Sequence, residues 1–170
     1  MKEIMNSEQL SRTLKRMTHE IIERNQDLSD LVLVGIMRKG HPIAVILKDN
    51  LKRFADIDVP TYPIDILAYR DDLEAKKEPH HQDLIVQDKN VILVDDVLYT
   101  GRSVRAAMDA LNDHGRPKQI QLAIVIDRGH RELPIRADYI GKNIPTSKTE
   151  KVIVDLNTNT IYLDEAKKQL

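Results

Sequence analysis

The pattern of apolar and polar positions along the chain predicts alternating helices and strands. Apolar residues recur at helical spacing over residues 7–25, where Ser7 is the predicted N-cap, and again over residues 42–54 and 102–114. Short apolar runs, each the length of a strand, lie at residues 31–36, 59–69, 90–96, 120–127, 151–156 and 160–163. Strands that alternate with helices predict a single α/β domain over residues 1–170, built on a parallel sheet.

Residues 70–89 interrupt this pattern with polar and charged residues that lack sustained periodicity. Long loops in compact domains are commonly lids or binding loops, although a plain surface loop explains the composition equally well. The pair His80–His81 within this loop is interpreted as exposed, because no further metal ligand stands at a suitable spacing.

Composition and charge narrow the classes of protein that the chain can represent. The 170 residues carry a net charge of −1 and no cysteine, which excludes a disulfide framework and a thiolate metal site. The apolar runs are too short to cross a membrane, and the N-terminus lacks the apolar stretch of a signal peptide. We therefore expect a soluble, cytoplasmic protein with no membrane partner, in which nucleic acid binds only through a local basic patch.

Residues 91–103, VILVDDVLYTGRS, place two acids at the end of a predicted strand and a turn before the next helix. The first backbone N–H groups of a helix, together with its dipole, favour an anion. Gly101 allows the backbone to approach a ligand closely, and Thr100 and Ser103 add hydroxyl donors. A phosphate cradle beside two carboxylates suits a sugar phosphate, with the ribose hydroxyls on the acids. A strand end followed by a helix cap is the plainer reading of the same residues.

This stretch resembles the thirteen-residue signature for 5-phosphoribosyl-1-diphosphate (PRPP) in type I phosphoribosyltransferases. The residues that the resemblance assigns to PRPP are Val91, Ile92, Leu93, Val94, Asp95, Asp96, Val97, Leu98, Tyr99, Thr100, Gly101, Arg102 and Ser103. It implies that Asp95 and Asp96 are catalytic residues that hold the ribose hydroxyls. Mg²⁺ is the expected cofactor, bound through PRPP, with these two carboxylates as candidate ligands. Members that use purines usually carry an acid at the position of Tyr99, so the resemblance favours uracil as the base.

Further stretches, among them HEIIERN (19–25) and residues 120–148, are similar to the PyrR family, and the resemblance extends over roughly residues 7–156. PyrR proteins regulate pyrimidine operons by transcription attenuation and also act as uracil phosphoribosyltransferases. The resemblance implies a type I phosphoribosyltransferase-like parallel sheet flanked by helices, with a small hood and a flexible loop. It also implies a homodimer or a higher homo-oligomer.

The PyrR resemblance assigns three further parts of the site. The pyrophosphate loop corresponds to Met37, Arg38, Lys39 and Gly40, and the uracil pocket is expected at Val125, Ile126, Asp127 and Arg128. Arg70 is expected to close over PRPP as a catalytic residue. Residues 35–40 read GIMRKG where the family usually has GIKTRG. Because lysine cannot make the bidentate contact of a guanidinium, pyrophosphate binding and turnover are left open.

Two basic groups predict an RNA-binding surface. Their members are Lys15, Arg16, His19 and Arg24 in the first helix, and His130, Arg131, Arg136 and Lys142 near the end of the chain. Charged faces of this kind are common on solvated surfaces, but the PyrR resemblance favours RNA. The implied partner is a stem-loop in the leader of pyrimidine operon mRNA, bound when UMP or UTP is plentiful.

Three functions fit these observations. The first is a uracil phosphoribosyltransferase that also regulates transcription through RNA. The second is a salvage enzyme without RNA regulation, for which the basic groups are incidental. The third is a non-catalytic nucleotide sensor, which the departure at residues 35–40 keeps open.

Overall fold

The computed structural model describes residues 1–71 and 83–165, and within these ranges it contains three α-helices and eight strands. In chain order the elements are β1 (Lys2–Met5), α1 (Ser7–Arg24), β2 (Leu31–Ile36), α2 (Gly40–Ala55), β3 (Thr61–Ile64), a 3-10 turn (Leu67–Tyr69), β4 (Asn90–Leu98), α3 (Arg102–Asn112), β5 (Gln119–Asp127), β6 (Tyr139–Asn143), β7 (Lys151–Asp155) and β8 (Thr160–Asp164).

Five strands form a parallel sheet in the order β3-β2-β4-β5-β6. The apolar runs 31–36, 91–94 and 122–126 in β2, β4 and β5 are buried, as expected for central parallel strands that are covered on both faces. One face of the sheet packs against α1 and α2, and the opposite face packs against α3. The predicted α/β fold class is thereby confirmed.

A second, antiparallel sheet of three strands, in the order β1-β8-β7, corresponds to the predicted hood. Val154 of β7 and Ile161 of β8 are buried among residues of α1 and α2. The Nζ of Lys39 donates a hydrogen bond to the carbonyl oxygen of Val154 at 2.7 Å. This contact connects the hood to the loop that follows β2.

Several boundaries differ from those that the sequence pattern predicts. The strands β1 and β6 were not predicted, because each buries a single residue, Met5 or Tyr139, and neither contains an apolar run. The N-cap of α1 is Asn6 rather than Ser7. Its side chain accepts a hydrogen bond from the N–H of Gln9, whose own side chain accepts one from the N–H of Asn6. Only the first part of the run at 59–69 is a strand.

Most of the predicted 70–89 loop, including His80 and His81, lies outside the described residues. Among the residues that the structure describes, no helix has the length and hydropathy needed to cross a bilayer.

Candidate active site and basic surface

The carboxyl ends of β2, β4 and β5 lie along one edge of the parallel sheet, where ligands of such sheets bind. Asp95 and Asp96 are the sixth and seventh residues of β4 and stand at this edge. Beside them is a cavity of about 360 Å³ lined by Arg70, Asp95 and residues 97–104. The structure thus brings one predicted acid, the predicted phosphate loop and the predicted catalytic arginine to one cavity.

Asp95 is a buried carboxyl group in the wall of this cavity. Its side chain is almost completely buried, with 8% relative exposure, and the loss of hydration raises its pKa well above the ordinary value of 3.8. The neighbouring carboxylate of Asp96 raises the pKa further, while the positive charge of Arg70 opposes this shift. Burial therefore disfavours the ionised form of Asp95, and a cationic or hydrogen-bonding ligand would favour ionisation.

The phosphate loop is shaped by its own backbone. Gly101 has a φ of +95°, a conformation that side-chain-bearing residues rarely adopt, and immediately precedes α3. The hydroxyl oxygen of Thr100 accepts a hydrogen bond from the N–H of Arg102 at 3.3 Å. The first residues of α3, Arg102 to Val104, line the same cavity, so the N-terminus of this helix borders it, as an anion site requires. By contrast, the first four residues of the PRPP signature, Val91 to Val94, are buried in the core and support the loop from behind.

The segment 128–138 covers the phosphate loop, a contact that the sequence did not indicate. The N–H groups of Glu132 and Leu133 donate to the carbonyl oxygen of Thr100 at 2.9 and 3.1 Å. The Nε of Arg102 donates to Glu132 at 2.9 Å. A Cβ on Gly101 would lie 3.3 Å from the side chain of Ile135, so this segment packs closely against the loop. The position of the phosphate loop therefore depends on the segment 128–138.

Arg131 holds this segment in place. Its guanidinium donates to the carbonyl oxygens of Ile135 and Tyr99 at 2.9 and 2.7 Å, and to the carboxylate of Asp127 at 2.7 Å. The side chains of the ion pair with Asp127 are only 24% and 12% exposed. All three guanidinium nitrogens are thus engaged inside the protein. The RNA contact predicted for Arg131 stays a prediction, and in this structure the guanidinium donates to the active-site loop and to Asp127.

The predicted pyrophosphate loop, residues 37–40, lies directly after β2. Met37, Arg38 and Lys39 are exposed, the Met37–Arg38 peptide is cis, and Gly40 is buried. A Cβ on Gly40 would lie 2.3 Å from the carbonyl oxygen of Val94, so only glycine allows α2 to begin this close to β4. Lys39 is directed to Val154 in the hood. Arg38 is therefore the exposed guanidinium of this loop, one position before the place where the family usually has it.

The predicted uracil pocket divides into two parts. Val125 and Ile126 are fully buried in β5, so their side chains support the site and cannot touch a ligand. The other two predicted residues, Asp127 and Arg128, line a second cavity of about 340 Å³ together with Gly129, Arg131, Asn143, Ile144 and Pro145. Residues 143–145 were missed because they lie at the end of β6 and directly after it, and the sequence pattern did not reveal this strand.

Arg128 connects the ring of Tyr99 to residues 146–150. Its guanidinium lies over the ring of Tyr99, 4.1 Å from the ring centroid. It also donates to the hydroxyl of Thr146 at 3.1 Å and to the carbonyl oxygens of Ser147 and Glu150 at 3.0 and 2.6 Å. Tyr99 is thereby held between Arg128 and His130, whose ring centroid is 5.9 Å away.

The beginning of the long loop is attached to α3. Arg70 donates to the hydroxyl of Ser103 at 3.3 Å, and Asp71 accepts hydrogen bonds from Arg102 and Arg105 at 3.0 and 2.8 Å. Tyr69 donates to the carboxylate of Asp113, and this hydrogen bond raises the pKa of Tyr69 to about 12. These contacts fix where Arg70 enters the cavity. They join residues more than 30 positions apart, which no local pattern reveals.

The first predicted basic group lies on α1, which packs against the edge strand β6 that carries Lys142, whereas Arg136 lines a cavity together with Val104 and Met108 of α3. Arg16 donates to the carbonyl oxygen of Gly141 at 2.6 Å and pairs with Glu20, and Arg24 pairs with Asp138 at 3.1 Å. His130 contacts the carbonyl oxygen of Thr146 at 2.6 Å. Other members present their side chains to solvent: Lys15 is half-buried, whereas His19, Arg136 and Lys142 are exposed.

Comparisons with known proteins agree with this geometry. The family model described as the phosphoribosyl transferase domain matches residues 1–159. The chain is similar to the "Bifunctional protein pyrR" of Enterococcus faecalis, with 57% identity over 159 residues, which covers 91% of this chain and 89% of that protein. The "Bifunctional protein PyrR" of Haemophilus influenzae is 53% identical, and 89% of each chain is covered.

Solved structures support the fold alone. The hypoxanthine-guanine phosphoribosyltransferase of Bacillus anthracis superposes with a TM-score of 0.76 at 22% identity, over 95% of this chain and 96% of that chain. The hypoxanthine phosphoribosyltransferase of Trypanosoma cruzi gives a TM-score of 0.75 at 18% identity, over 96% and 95% of the two chains.

Proposed function

This chain belongs to the phosphoribosyltransferase family, within the PyrR proteins, and from that premise we propose that it makes UMP and regulates transcription through RNA. The reaction joins N1 of uracil to C1 of the ribose of PRPP and releases pyrophosphate. The observation that carries this proposal is the buried acid Asp95, which lines one cavity together with residues 99–103 of the phosphate loop.

The residues around this cavity have distinct roles in the proposed reaction. The amides and hydroxyls of residues 99–103 bind the 5-phosphate, and Asp95 and Asp96 accept hydrogen bonds from the ribose hydroxyls. Arg70 enters the same cavity and stabilises negative charge on the departing pyrophosphate, to which the loop at residues 37–40 adds backbone amides and Arg38. The bond to C1 breaks with oxocarbenium character, so catalysis consists of positioning and charge stabilisation.

Mg²⁺ fits this site as an ion carried in chiefly by PRPP. Asp95 lines the cavity and Asp96 is its neighbour in β4, and the described residues contain no group of three His, Asp or Glu side chains that could hold a metal alone. Oxygen atoms of PRPP and water would complete the coordination. When bound, the ion neutralises the departing pyrophosphate.

The second cavity, beyond β5, is the proposed pocket for uracil. Asp127 and Gly129 border it with backbone groups, and Ile144 and Pro145 give it an apolar wall. Tyr99, held under Arg128, occupies the position at which purine-using members carry an acid. We therefore expect uracil to be the preferred base.

An assay of nucleotide formation with PRPP and Mg²⁺ tests the enzyme directly. Uracil should give UMP, and hypoxanthine and guanine should give no nucleotide above background. The double substitution Asp95→Asn with Asp96→Asn should abolish PRPP binding in a folded protein, as measured by calorimetry. Efficient use of a purine, or near-normal PRPP affinity of the double variant, would refute the assignment.

The regulatory function rests on a proposed basic surface formed by the exposed members of the two basic groups. His19, Arg136 and Lys142 are exposed, and Lys15 adds a further charge. A stem-loop from a pyrimidine operon leader is the proposed partner, with UMP or UTP as the effector, in a cytoplasmic homodimer or higher oligomer. Absence of binding to any such leader would favour the salvage enzyme, and binding without UMP formation would favour the nucleotide sensor.

A further inference from the structure

Phe54 stands out because it is the chain's single phenylalanine and yet is not in the core. It is the penultimate residue of α2, it is 38% exposed, and it belongs to neither core cluster of the described residues. Burial of an aromatic side chain contributes more than that of most other residues, so an exposed one needs a partner to use its surface.

Two basic side chains lie against this ring. The imidazole of His19, in α1, lies 4.7 Å from the ring centroid at an interplanar angle of 41°. The guanidinium carbon of Arg53 lies 5.3 Å from the same centroid. His19 is one of the exposed basic residues of α1, and Arg16 stands one turn before it. The aromatic face therefore lies beside exposed basic residues of α1.

We propose that Phe54, His19 and Arg53 form a subsite that stacks one unpaired nucleobase of the bound RNA. The inference rests on the proposed RNA-binding function and names a contact within it. A flat ring supplies the stacking surface, and the adjacent guanidinium of Arg53 attracts the phosphates beside the base. Charge complementarity favours RNA over a second copy of this chain, since the Arg53 side chains of two facing copies would repel each other.

The test compares variants at Phe54 in titrations with a leader stem-loop that has unpaired loop nucleotides. Phe54→Leu keeps an apolar side chain but removes the ring, and it should weaken RNA binding about fivefold or more. Phe54→Tyr keeps the ring and should bind like the unchanged protein. Val45→Ala is the matched control, because Val45 is equally exposed on α2, at 37%, and should leave the affinity unchanged.

Salt dependence separates stacking from charge. Phe54→Leu should shift the logarithmic plot of affinity against salt without changing its slope, whereas Arg53→Gln should flatten the slope by roughly 0.7. Replacing loop nucleotides one at a time by abasic residues should reveal one position at which the unchanged protein loses as much affinity as Phe54→Leu does. When the abasic residue is at that position, Phe54→Leu should show no further loss of RNA affinity.

The outcomes distinguish this inference from the function on which it rests. If the unchanged protein binds no leader RNA, the proposed regulatory function fails and the subsite fails with it. If it binds and Phe54→Leu binds equally, with no sensitive abasic position, the subsite alone is refuted. A changed oligomeric state of Phe54→Leu in sedimentation, with unchanged RNA affinity, would instead make this face a contact between subunits and overturn the proposal.

Discussion

Asp95 is required for PRPP binding in the proposed reaction, but its burial lowers the stability of the folded protein. Its carboxyl group is buried beside a second carboxylate, and its pKa is raised mainly by the loss of hydration. A group whose pKa is higher in the folded than in the unfolded state lowers stability as the pH rises above the unfolded value. This loss of folding stability is absent near pH 3 and reaches its full size once the pH exceeds the pKa of Asp95 in the folded protein.

Asp95→Asn should therefore stabilise the unliganded protein while removing PRPP binding. The amide oxygen can still accept the hydrogen bond that the N–H of Asp96 makes at 2.8 Å, and no charge remains buried. We expect the melting temperature to rise by at least about 2 °C at pH 7–8 and the gain to disappear near pH 4. Calorimetric melts over this pH range check it. A variant less stable than the parent at every pH would contradict it.

Arg131 and Arg136 are separated by the structure although the sequence grouped them together. Arg131→Ala should lower the free energy of unfolding by about 1–3 kcal/mol, because it removes the ion-pair partner of the partly buried Asp127. UMP synthesis should fall as well, because Arg131 holds the segment that covers the phosphate loop. Arg136→Ala, at an exposed position, should weaken only RNA binding. Denaturation, UMP assays and RNA titrations of both variants test the separation. Equal effects of the two substitutions on UMP synthesis would refute it.

At the scale of elements, the strand, turn and helix start that carry the candidate catalytic residues were easier to predict than the edge strand that borders the site. β4, the turn after it and the start of α3 were predicted because the signature itself encodes a buried strand, an αL glycine and a helix start. β6 was missed because it is a short edge strand with one buried residue. Its absence from the prediction also concealed that residues 143–145 line a cavity and that Arg16 of α1 contacts β6.

The contact between α1 and β6 depends on Gly141. A Cβ at this position would lie 2.4 Å from the carbonyl oxygen of Val125 and 2.9 Å from the methyl group of Thr13. Gly141→Ala should therefore push β6 away and cost about 1–3 kcal/mol of stability. RNA binding should weaken as well, since Arg16 and Lys142 lose their relative positions. Urea denaturation and RNA titration measure both effects, and unchanged stability would show that the junction is not tightly packed.

At the scale of the whole molecule, the segment 128–138 connects the two proposed functions. Its backbone N–H groups bind Thr100 in the phosphate loop, and its side chains include the exposed Arg136 of the basic surface. The residues of this segment could be assigned to a basic group from the sequence. Their contacts with residues 99–102 could not, because those contacts depend on how the chain folds back over the loop.

A nucleotide in the phosphate loop and RNA on the basic surface should therefore favour the same position of the segment 128–138. If so, UMP tightens RNA binding by some factor, and RNA must tighten UMP binding by the same factor, since the coupling free energy is shared. A factor of about 5 to 150 is typical of such coupling. Titration of RNA with and without saturating UMP, and the reverse titration, measure it independently.

Glu132→Gln is the variant that isolates this connection. It removes the ion pair with Arg102 at 2.9 Å, whereas Glu132 itself is exposed and carries no positive charge for RNA. The affinity for RNA without nucleotide should not fall, while the coupling factor should become smaller, because the phosphate loop then holds the segment less firmly. Arg136→Ala serves as the opposite control, with weaker RNA binding and an unchanged coupling factor. An undiminished factor in Glu132→Gln would show that the nucleotide acts on RNA binding by another route, such as a change between subunits.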